Sequence, residues 1–178
     1  MRDFIQNDAG LLVPAHKLLV GGSFHAELIR DGEIIDAFDF DNIVVNEGLN
    51  SLLNISFSGA SPITSWYVGL FQGNYTPVPS DAAATIATNS TECSAYAAGV
   101  RQLFVTVAST AQSITNAASR ASFVFTSGVT IYGAFLASTA TINGATGVLM
   151  SAARFSTSRV VASGDELLLT YSFSAASV

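Results

Sequence analysis

The chain has 178 residues, 11% of them charged, a formal net charge of −6 and a single cysteine, which implies one domain large enough to bury its own core and excludes an internal disulfide. No basic stripe is present to meet phosphates, so no nucleic-acid partner is expected. No window supplies ~18 consecutive apolar residues for a membrane span, and "MRDFIQNDAG" lacks the apolar core of a signal peptide, so neither a membrane partner nor a secretion signal is expected.

In chain order, "LLVPAHKLLV" (11–20) is apolar and interrupted by Pro14, which predicts an extended N-terminal arm, 1–20, ahead of a single domain, 21–178. Asp31-Gly32 between two alternating runs predicts a β-hairpin with a type I′ turn. A plain two-residue turn pairs Ile29 with Ile34, Leu28 with Ile35 and Ala26 with Ala37. It also sets Glu27 opposite Asp36, a like-charge pair that calls for another register or a nearby cation. "NIVVNEGLNSLLN" predicts a strand running into a short helix, with Asn46 as N-cap, Glu47 at the positive helix end and Leu49, Leu52 and Leu53 on one face. In "WYVGLF", Trp66, Val68 and Leu70 alternate with Tyr67, Gly69 and Phe71, and Gly69 leaves room for a backbone or a large ring. This reads as a core strand followed by a loop, "TPVP", that emerges with Tyr75. A second helical turn is expected from Ser80, with Asp81 in its first turn.

Cys93 lies among Ala, Ser and Thr with no His or Lys near it in sequence, which reads as apolar filler rather than a reactive thiol. The remainder is β-patterned. Ala121, Phe123 and Phe125 alternate with Ser122, Val124 and Thr126, and "TIYGAFLAS" is nearly all apolar, as for a strand covered on both faces. "GVLMSAARF" and "SRVV" read as strands split by a Ser/Thr turn. After "SGD", Leu167, Leu169, Tyr171, Phe173 and Ala175 alternate with Leu168, Thr170, Ser172 and Ser174. Short strands with frequent turn signals predict an all-β antiparallel β-sandwich, jelly-roll or Ig-like, with one or two short helices and the extended arm.

The chemical inventory is thin. His16 and His25 are the only histidines, and no G-x-S-x-G elbow exposes a serine. Glu27, Asp36, Asp39 and Asp41 match no calcium-loop spacing and read as a solvated acidic face. "GGS" at 21–23 lacks the lysine and helix of a phosphate loop. Asp165 and Glu166 follow Gly164 as turn residues. No catalytic residue, metal site or cofactor is therefore assigned, and the chain is not expected to be an enzyme.

Charge is uneven along the chain. Residues 1–47 hold nine acids against Arg2, Lys17 and Arg30, whereas residues 48–178 hold four acids and four arginines. Ser and Thr supply 37 positions. A surface carried by hydroxyls suits a protein covered by copies of itself or by a partner. The candidate contacts are Tyr75, Pro77 and Pro79 in the emerging loop, and Leu11, Leu12 and Pro14 in the arm.

"NIVVNEGLNSLLN", "WYVGLFQGNYTP", "DAAATIA", "VFTSGVTIYGAFLAS", "LMSAARF" and "ASGDELLLTYSF", in that order, resemble a group of small virion structural proteins of tailed bacteriophages. The resemblance covers about residues 24–175 and implies a β-sandwich on the phage head as a capsid decoration (cement) protein. A tail or fibre-attachment component is the first alternative, and a host-glycan binder on the virion surface is the second. It implies as partners the major capsid protein or other virion proteins and a homo-oligomer, dimer or trimer. It carries no catalytic residues. On this reading the arm reaches a neighbouring subunit.

Overall fold

The computed structural model describes residues 4–6, 10, 12–14 and 18–177. These form an all-β antiparallel sandwich with two short helices. A small two-stranded sheet, β1 (Phe4–Gln6) and β2 (Leu12–Pro14), precedes it. One five-stranded sheet runs β4 (Glu33–Asp41), β3 (Leu18–Arg30), β12 (Glu166–Ser177) and then β8 (Ser113–Thr115), with β9 (Ala121–Val124) also on the free edge of β12. The other runs β5 (Ile43–Val44), β11 (Leu149–Val161), β10 (Val129–Ala137), β6 (Tyr67–Phe71) and β7 (Gln102–Leu103).

Alternation fixes which side chains meet between the sheets. Phe24, Ala26 and Leu28 of β3, Leu167, Leu169 and Tyr171 of β12, and Val68 and Leu70 of β6 are buried in one core. Phe24 stacks on Phe40, and Phe155 meets Phe40 edge-on. The second sheet is covered on its other face too. There Phe71, Phe135, Ala137, Leu149 and Ala152 pack with Ala83 and Ile86 of α2 (Ala83–Asn89), which accounts for the unbroken apolar run of β10. Gly69 admits a ring, as its spacing predicts: it faces Phe135 in register, and a Cβ there would overlap that ring.

Several sequence expectations are corrected. Asp31 and Gly32 both take positive φ, 53° and 84°, as a type I′ turn requires. However, a bulge at Ile35 shifts the register, so Leu28 faces Asp36 and Glu27 faces Ala37. Both remedies for the like-charge pair operate, since Arg120 holds Glu27 at 2.6 Å and Arg159 holds Asp36 at 2.5 Å. The acidic hairpin is thus partly neutralised by arginines from the far end of the chain.

The first helix, α1, spans Asn46–Phe57 with Val45, not Asn46, at the N-cap, and no side chain caps it. Leu52 packs on the core, but Leu53 is exposed. Gly48 is buried where a Cβ would lie 2.6 Å from the Met150 carbonyl oxygen, so its absence lets α1 sit directly on β11. The second helix starts at Ala83, two residues after Asp81, which is occupied elsewhere. "GVLMSAARF" and "SRVV" form one strand. Arg154 and Arg159 face Gly133 and Ile131, and the extra residues between them are absorbed as a bulge rather than a turn. β3 begins at Leu18, so the boundary drawn at residue 20 falls inside a strand. Trp66 precedes β6 and is half-buried against the core.

Candidate interaction surface

The loop after β6 is held by its own polar groups. The Tyr75 hydroxyl donates to Asp81 Oδ1 at 2.6 Å, and the Val78 amide donates to Oδ2 at 2.8 Å. Burial first, then the Asp81 carboxylate, raises the Tyr75 phenol above its ordinary value. Tyr75 is half-buried and packs on the outer core, Pro77 is half-buried, and Pro79 is exposed, its carbonyl accepting from the Asn46 amide. Tyr75 therefore braces the loop with its ring and hydroxyl, while Thr76, Val78 and Pro79 form its exposed side.

Of the arm candidates, Leu12 and Pro14 lie in β2, at opposite ends of its pairing with β1, and Leu11 lies outside the described residues. β1 and β2 pair only with each other among the described strands. The chain then enters β3, whose first residues pair with the last residues of β12, from Leu18 with Ser177 to Gly22 with Phe173. β4 joins only at Ser23. Leu18 and Leu19 are 70% and 55% exposed at this root, and Phe4 in β1 is 52% exposed. Consecutive strand residues point to opposite faces, so Leu18 and Leu19 open one large apolar side chain on each side of this root.

Several charged groups elsewhere are engaged in structure. Arg101 and Glu92 form a bidentate pair at 2.7 and 2.8 Å with both side chains wholly buried. The pair also anchors the loop after β10, because Glu92 accepts from the Asn143 amide and Arg101 donates to the Thr139 carbonyl. Sequence reasoning missed it. The available signal was that Glu92 and Arg101 are the only charges between Asp81 and Arg120. Asp165 is a bidentate partner for Arg30 and accepts from the Ala162 amide, which makes it the lock of the final turn. His25 lies 2.7 Å from Asp39 and 3.5 Å from Glu27. Among the described residues, no group of three or more His, Cys, Asp or Glu is placed to hold a metal ion, and no helix is long and apolar enough to cross a membrane.

No protein-family model matches the chain, and no curated protein matches it.

Proposed function

We propose that the chain is a structural protein of a tailed-phage virion, a decoration (cement) protein that binds the assembled head through its N-terminal arm. The observation that carries this reading is the arm itself. Its hairpin is paired apart from the sandwich and enters β3 beside exposed Leu18 and Leu19. The resemblance of residues 24–175 to such proteins supports it, as does a surface with few charges. A protein that binds only the assembled shell stabilises that shell by mass action, and a sandwich that carries a separately paired hairpin can join two capsid subunits. Partner, head location and homo-oligomer all belong to this proposal.

The test is occupancy on purified heads that lack the protein. The full chain is expected to bind the heads in many copies and raise their melting temperature. A truncation of residues 1–17, which leaves β3 intact, is expected to lose most of that occupancy. Equal occupancy by the truncated chain would remove the arm from the mechanism, and failure of the full chain to bind heads would overturn the proposal.

A further inference from the structure

A cleft of about 560 Å³ lies between α1, the loop that follows it and the N-terminal end of α2, within the size range of small-molecule sites. One wall carries Asn46, Asn50 and Asn54. Spaced four apart on a helix, they form a single ridge of amides, and all three are exposed. Glu47 stands at the head of that wall. The Ala83 and Leu149 amides both donate to its Oε2, at 2.8 and 2.6 Å, so Oε1 of this cleft-lining residue is not engaged by either of them. Ile55 and Ile63 supply apolar patches on the lining.

Such a row of amides runs against local preference. Asparagine is a poor helix former, because its side chain competes for backbone hydrogen bonds. A face that served only solubility would be better filled by Glu, Lys or Gln. Three asparagines in a twelve-residue helix, aligned on a cleft, are the kind of local inconsistency found at functional sites.

The lining also selects a ligand class. It contains no cationic group and no aromatic ring, and Glu47 and Asp81 are both acidic, so phosphates, other anions and stacked bases are disfavoured. Amides that both donate and accept, with one carboxylate oxygen, match paired hydroxyls. The isoleucines suit the C–H faces between those hydroxyls. We infer that this cleft binds a neutral saccharide. The inference does not depend on a virion role and involves neither Tyr75 nor Trp66.

Saturation-transfer NMR on the full chain, with lactose, maltotriose and chitotriose as probes, tests it. At least one is expected to show transfer, and the Asn50→Ala/Asn54→Ala variant is expected to weaken that binding about tenfold, as for two lost hydrogen bonds. Alanine favours the helix, so this variant should stay folded, which a thermal melt checks. Absence of transfer from all three probes, or unchanged affinity in the variant, would overturn the assignment. Preference for sialyllactose over lactose would also overturn it, since an anion has no cation to meet there.

Discussion

Gly69 of β6 and Phe135 of β10 face each other in register, and the phenyl ring occupies the space that a side chain at position 69 would need. The next pair on the same face repeats the arrangement with the partners exchanged, Phe71 lying over Gly133. Two rings thus fill the outer face of the sheet only because each has a glycine opposite. In an ordinary strand, Gly→Ala is favourable by roughly 0.5–1 kcal/mol. Here Gly69→Ala is expected to cost about 1–3 kcal/mol by overpacking, measured by urea unfolding. A gain in stability would show that the ring has room to move.

The Arg101 guanidinium lies 4.9 Å from the centre of the same Phe135 ring, and its partner Glu92 shares its burial. Removing one member leaves a charge stranded in the core. Arg101→Met or Glu92→Gln is expected to cost about 3–5 kcal/mol. The Arg101→Met/Glu92→Gln double variant should cost less than the sum of the two, which a double-mutant cycle reads directly. Additive losses would mean that the two side chains act separately.

Acid should loosen the final turn. The Arg30 guanidinium, helped by the Ala162 amide and opposed by burial, holds the Asp165 carboxyl below its ordinary value. The unfolded chain therefore takes up this proton first as pH falls. The stabilisation is present above the unfolded value, near 4, and is lost as pH drops through the lower native value. Asp165→Asn should lower stability at pH 7 and flatten the stability profile below pH ~4. An unchanged acid profile in the variant would assign the acid sensitivity to other carboxylates.

Cys93 is wholly buried, and that burial pushes its thiol above the ordinary range. A maleimide reagent should leave the native protein unlabelled and react only on unfolding in urea. Prompt labelling of the native protein would contradict its place in the core.

The β12 and β9 strands were legible because period-two alternation is a local signal. The room at Gly69 was legible too, although the ring that fills it comes from a strand more than sixty residues away. What sequence could not reveal depends on contacts between distant segments. The Ile35 bulge lies between β3 and β4, whose Glu27 and Asp36 meet Arg120 and Arg159 from distant segments. β11 reads as two strands because its bulge is rich in Ser and Thr. Asn116, which donates to the Leu169 carbonyl and accepts from the Tyr171 amide between β8 and β9, carries no sequence mark of that task. In the emerging loop, its position after β6 was readable, but the Tyr75 to Asp81 brace was not, because Asp81 read equally well as a helix-start residue.

The most direct test of a head-decorating role is a low-resolution electron microscopy map of the phage particle that carries this protein. The proposal predicts sandwich-sized densities repeated across the head lattice, each joined by a thin connection to a neighbouring subunit. Density restricted to a few copies at the tail, or a head lattice without it, would contradict the proposal.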